Sequence, residues 1–96
     1  MNIVIIKNTL GDEILAELVS EPHPTEVDCI TVSRPRIVQF QRNQTGDIVP
    51  SLVPWFMLDP DNKNVPMFNR SIASIIPAGH EVSKSYKSAV SGIVLN

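Results

Sequence analysis

Ile3-Val4-Ile5-Ile6-Lys7-Asn8-Thr9-Leu10-Gly11-Asp12-Glu13-Ile14-Leu15-Ala16-Glu17-Leu18 is the stretch that decides the fold. Four consecutive apolar residues make a short strand, a polar turn around Gly11 reverses the chain, and the alternating run from Glu13 to Leu18 makes a second strand. On that second strand Ile14, Ala16 and Leu18 share one face, while Glu13, Leu15, Glu17 and Val19 share the other. One side is core and the other is mixed. Two strands joined in this way begin a small, strongly bent sheet.

Outward from this hairpin, the prolines of Glu21-Pro22-His23-Pro24-Thr25 stop the second strand, because proline cannot donate to a ladder. A third strand is expected from about Cys29 to Arg42, with Ile30, Val32, Val38 and Phe40 on one parity. Arg34 and Arg36 share that parity, and two guanidiniums aimed at a core are costly. A bulge or sharp bend at Pro35 that turns them out is therefore expected. A polar turn at Asn43–Asp47 leads to a fourth strand, about Ser51 to Leu58, apolar on both faces and carrying Pro54 and Trp55. Proline there implies an edge or a bulge, and an apolar edge calls for a covering partner. Asp59-Pro60-Asp61-Asn62 reads as a tight turn, and Ile72 to Ile76 as a short fifth strand. From His80 the spacing becomes helical, with Val82, Tyr86, Ala89 and Val90 on one stripe and Gly92 at a C-terminal cap. The tail Ile93-Val94-Leu95 is expected to pack on a neighbour or on the end of the sheet.

Ninety-six residues make a single domain, 1–96, with the sheet over about 1–78 and the helix and tail over about 79–96. Ten acidic against eight basic side chains argue against a basic whole-surface nucleic-acid binder, so any such binding requires a local patch. The lone Cys29 excludes an intrachain disulfide and a multi-cysteine zinc site. No segment has the pattern of a signal peptide or the length of a membrane span. A cytoplasmic protein without membrane association is expected.

Leu10-Gly11-Asp12-Glu13-Ile14-Leu15-Ala16, Val53-Pro54-Trp55-Phe56 and Ser85-Tyr86-Lys87-Ser88-Ala89-Val90-Ser91-Gly92-Ile93, set in this strand order, resemble the Sm-like (LSm) family. More narrowly, they resemble the small Sm-like proteins encoded by tailed phages. The resemblance implies a strongly bent five-stranded, SH3-like barrel with a C-terminal helix. It further implies a homo-oligomeric ring in which the fourth strand of one copy pairs with the fifth of the next, and a surface that binds single-stranded RNA. Trp55, Phe56, Ile72 and Ile75 would then lie at the subunit interface. The Asp-x-x-Met-Asn motif of Sm proteins is absent from Thr25–Ile30. Their Arg-Gly pair corresponds to Arg70-Ser71 or, with the register set by Met67 and Ile72, to Phe68 and Asn69.

Arg34, Arg36 and Arg70 are the candidate phosphate ligands, since guanidinium forks bind phosphate bidentately and all three fall at strand ends or bends. The alternative is ordinary surface arginines. Phe68 and Asn69 could supply a stacking face and an amide for a base edge, or Phe68 could be buried at the base of the loop. Trp55, flanked by Pro54 and Phe56, is read as a core or interface anchor rather than a stacking platform, and Tyr86 as packing.

His23, His80 and Cys29 have no ligand spacing, so neither metal nor cofactor is expected. Asp59-x-Asp61 opens like a calcium loop, but Asn64 holds the required glycine place and Arg70 the closing glutamate place. Without a G-x-S-x-G the serines offer no hydrolase signature, and no enzyme is expected. The leading expectation is a non-catalytic ring binding single-stranded RNA or DNA in RNA or DNA processing. The alternative is a scaffold ring of phage origin without nucleic acid.

Overall fold

The computed structural model describes residues 2–19 and 28–91. The expected loop at Glu21–Thr25, the Gly92 cap and the tail at 93–95 lie outside the described residues. Among the described residues six strands form one antiparallel sheet: β1 (Ile3–Asn8), β2 (Glu13–Val19), β3 (Cys29–Arg42), β4 (Ile48–Pro54), β5 (Val65–Phe68) and β6 (Ile72–Pro77). One helix follows, α1 (His80–Ser91). The ladder order is β4-β3-β2-β1-β6, with β5 on the first half of β3.

The two hairpin turns are built from one device. Asn8 Oδ1 accepts from the N–H groups of Leu10 and Asp12 at 3.1 and 2.9 Å, and the Asn8 carbonyl accepts from Gly11 N–H at 3.0 Å. Asn43 Oδ1 accepts likewise from Thr45 and Asp47, at 3.1 and 2.9 Å, and its carbonyl accepts from Gly46 at 3.0 Å. Gly11 and Gly46 take φ of 91° and 87°, a left-handed backbone that glycine adopts without strain. The pattern Asn-x-x-Gly-Asp, present at 8–12 and 43–47, thus closes both hairpins.

The expected bend in β3 is a bulge. Glu17 pairs with Ser33 and Leu15 with Arg36, so Ala16 alone faces Arg34 and Pro35. Arg34 carries the strain, at φ 49°. Before the bulge β3 pairs with β5, from Cys29↔Phe68 to Val32↔Val65; after it β3 pairs with β4, from Arg36↔Pro54 to Arg42↔Ile48. One long strand therefore serves two partners on the same side.

The bulge also switches faces, which overturns the expectation of a single apolar parity along β3. Val32, with Ile30 packed beside it, joins Val4, Ile6, Ile14, Ala16, Val65 and Met67 in one core. Val38 packs on the other face against Ile3, Leu15 and Tyr86, beneath the helix. A one-residue insertion inverts every later side chain. A twelve-residue helix is marginal alone, so α1 depends on this docking through Tyr86 and Val90.

Two further expectations are corrected. The fourth strand runs Ile48–Pro54 rather than about Ser51 to Leu58: Trp55 N–H still donates in register to the Pro35 carbonyl at 3.1 Å, but Pro35 has no N–H to return, and the chain turns away from the ladder after it. The short fifth strand of the sequence reading is β6, preceded by the unanticipated β5, whose Pro66 is tolerated because no second strand pairs with it among the described residues.

Candidate nucleic-acid interface and subunit edges

Phe68, Asn69 and Arg70 come together in the connection from β5 to β6. Phe68 ends its strand opposite Cys29, and residues 69–71 form a single turn of 3-10 helix. Three bonds hold that turn: Asn69 N–H to the Asp28 carbonyl at 2.7 Å, Ser71 Oγ to the Phe68 carbonyl at 2.7 Å, and Thr9 N–H to the Ser71 carbonyl at 2.9 Å. All three side chains are exposed. The Arg70 guanidinium lies over the Phe68 ring, 5.4 Å from its centroid, and makes no ion pair among the described residues. A flat ring, an amide and an uncommitted cation on a fixed turn can stack a base, hydrogen-bond its edge and meet a phosphate.

The other two arginines do not join this cluster. Arg34 and Phe68's partner Cys29 are five residues apart on β3, a separation of about 16 Å at strand rise. Arg36, expected to turn outward, is buried, at 5% exposure. Its guanidinium donates to the Pro60 carbonyl at 2.6 Å and to Asp61 Oδ1 at 3.1 Å, with longer contacts to the carbonyls of Arg34 and Pro35 at 3.4 Å. It is a clamp for the turn between β4 and β5. A buried cation needs such acceptors, and Asp61 with the turn carbonyls supplies them. Arg34 is half-buried; its Nε is buried without a partner among the described residues.

The four residues assigned to the interface divide in two. Trp55 and Ile72 are partly buried against the first core, whereas Phe56 and Ile75 are 46% and 42% exposed. Beyond those four, exposed apolar side chains stand at Met57 and Leu58, inside the apolar stretch that the sequence reading ran to Leu58, at Phe40 with Ile48 and Val49 on the β3–β4 hairpin, and at Ile76 on β6. Among the described residues β4 and β6, the two ends of the ladder path, each have one unpaired edge, so apolar residues and unpaired strand edges coincide there.

On the helix side of the sheet, an apolar groove of about 320 Å³ is lined by Leu15, Val38, Phe40, Leu52 and Val82. Among the described residues no cluster of metal-ligating side chains occurs, and no helix is long and apolar enough to cross a membrane. No protein-family model matches the chain, and no curated protein matches it either.

Proposed function

We propose that the chain is a non-catalytic, Sm-like protein that assembles head to tail into a homo-oligomeric ring and binds single-stranded nucleic acid, with RNA the expected ligand, in the cytoplasm of a phage-infected host. The observation that carries the binding is the exposed Phe68–Arg70 stack with Asn69 beside it, held on a fixed turn. Assembly is supported by the edges of β4 and β6 that no strand pairs among the described residues, where apolar Ile48, Val49, Ile75 and Ile76 are exposed. The bent β3, shared by β2, β4 and β5, is the element a small strongly curved barrel requires. A ring repeats one Phe68–Arg70 platform per copy, and multivalency then offsets the poor long-range attraction of a chain with net charge −2.

The test combines light scattering after size exclusion with titration of oligouridylate and oligothymidylate across a salt series. A ring with salt-sensitive binding supports the proposal. A ring that binds neither polymer at low ionic strength establishes instead the scaffold reading, which is favoured by the commitment of Arg36 to Asp61 and by the extent of exposed apolar surface.

A further inference from the structure

The apolar groove on the helix side of the sheet lies open beside α1. Buried Leu15 with half-buried Val38 and Leu52 make its floor, while Phe40 and Val82, 69% and 38% exposed, flank it. A more open recess continues the groove towards the end of the helix, sharing Leu52 and Ser85 with it and adding Ser88 and Ala89. Val82, Ser85 and Ala89 recur at i, i+3 and i+7, so one stripe of α1 runs beside both. Ser85, Ser88 and Ala89 are small and exposed, which leaves the line between α1 and β4 unfilled among the described residues.

The sequence that follows is matched to that line in chemistry and in reach. After Ser91, where the described residues end, the chain reads Gly92-Ile93-Val94-Leu95, apolar and without a charge. Glycine directly after a helix commonly takes the left-handed conformation that reverses the chain. From a reversal at Gly92, three extended residues to Leu95 span about 10 Å, and the helix from Ser91 back to Ser85 rises about 9 Å. Leu95 therefore reaches the level at which the two recesses meet. The groove, about 320 Å³, is roughly twice the ~150 Å³ that accepts a benzene-sized group, so a leucine side chain has room in it. A short tether also gives this segment an effective concentration on the order of millimolar, which favours it over a free partner of equal affinity.

We propose that Ile93-Val94-Leu95 returns along α1 and fills the helix-side groove of its own chain, Leu95 foremost, against Leu52 and Val82. The contact depends on neither ring assembly nor nucleic-acid binding. It gives α1, which docks through Tyr86 and Val90, a second attachment to the sheet by way of β4. It also makes the groove a self-occupied site: an apolar partner gains this surface only by displacing the segment.

Paired cysteines test it. Leu95→Cys and Leu52→Cys, combined in one full-length chain in a Cys29→Ser background, are oxidised at low protein concentration; non-reducing electrophoresis then separates the products, and maleimide mass shifts count the free thiols. A covalently closed single chain without free thiols is the expected result. Leu95→Cys with Gln44→Cys, at the exposed tip of the β3–β4 hairpin, is the control and should keep both thiols. Leu95→Asp should raise the fluorescence of anilinonaphthalene sulfonate, a dye for open apolar grooves, several-fold while the circular dichroism stays unchanged. A 95–52 link found only between chains assigns the segment to a second copy and overturns the proposal. No link, equal linking of the control pair, or a Leu95→Asp protein with wild-type dye fluorescence overturns it as well.

Discussion

The Tyr86 hydroxyl donates to the Ser33 carbonyl oxygen at 2.9 Å, joining the helix to β3 across 53 residues of chain. The Arg34 carbonyl lies at 3.0 Å from the same hydroxyl, so its one proton is shared between two carbonyls at the bulge, where ladder pairing is broken. The ring is fully buried, and the helix contributes no other fully buried residue.

Tyr86→Phe should therefore destabilise the fold by about 1 to 3 kcal/mol, the cost of leaving buried carbonyls unsatisfied, at nearly unchanged apolar burial. Tyr86→Ala should cost more, about 3 to 5 kcal/mol, by adding a cavity beneath the helix. Urea denaturation followed by circular dichroism measures both.

Burial, with a small contribution from the Glu17 charge, holds the Tyr86 hydroxyl above its ordinary pKa of 10.0, against weaker opposing pulls from the Glu17 backbone, Arg34 and Arg36. The folded protein thus keeps this proton at pH values where the unfolded chain releases it. Stability from this group is fully present below about pH 10 and is lost as pH rises from there through the higher folded value. Thermal melts of the wild type should fall in that alkaline window. Melts of Tyr86→Phe should lack that component, and an identical alkaline decline in both proteins would count against it.

Arg36 and Arg70 should separate cleanly. Arg36→Gln shortens the clamp on Pro60 and Asp61 and leaves buried acceptors, so a loss of about 1 to 3 kcal/mol is expected, tempered because Asp61 is itself largely exposed. Arg70→Gln touches only an exposed guanidinium over Phe68 and should leave stability within about 0.5 kcal/mol of wild type. Chemical denaturation of the two variants side by side distinguishes a structural arginine from a surface one.

Much of this architecture is legible because strand alternation and turn chemistry are local. Ile14, Ala16 and Leu18 announce their common face, β3 begins and ends where its residue pattern does, and the stripe of Val82, Tyr86 and Val90 marks the helix. Proline at 35 flags the bend, but the face switch depends on Arg34 adopting φ 49°, which no propensity assigns to arginine. Val65-Pro66-Met67-Phe68 hides its strand behind a proline and declares it only through pairing with Cys29–Val32. At the candidate site the residue types of 68–70 are readable, whereas the fate of Arg36 is decided by acceptors 24 and 25 residues away.

Asn8 and Asn43 offer a test of the shared turn. Both accept from the backbone at i+2 and i+4, but Asn8 is buried, at 8% exposure, and Asn43 is exposed. Loss of Asn8 removes a side chain packed out of water together with its Nδ2 bond to Asp12 Oδ2 at 3.2 Å, whereas Asn43 stands in water. Asn8→Ala should cost about 1 to 2 kcal/mol and Asn43→Ala less than about 1 kcal/mol, readable from denaturation midpoints. Equal effects would show that hairpin closure, not burial, sets the cost.

The nucleic-acid reading makes the sharpest demand on Phe68 and Arg70. For single strands the slope of log affinity against log salt is about −0.7 per neutralised phosphate, so a ring with one Arg70 contact in each of several copies should show a slope of about −3 or steeper. Arg70→Gln should flatten that slope. Phe68→Ala removes a stacking face rather than a charge; it should weaken binding by about 1 to 3 kcal/mol per stacked base and leave the slope near its wild-type value. Arg36→Gln, whose guanidinium is spent on Asp61, should leave the slope unchanged in the fraction that remains folded. Fluorescence anisotropy of labelled oligouridylate and oligothymidylate between low and moderate salt reads all four proteins. A slope that flattens equally with Arg36→Gln and Arg70→Gln would move the phosphate contact to the bulge, and a wild-type protein with no salt-dependent binding would leave only the scaffold ring.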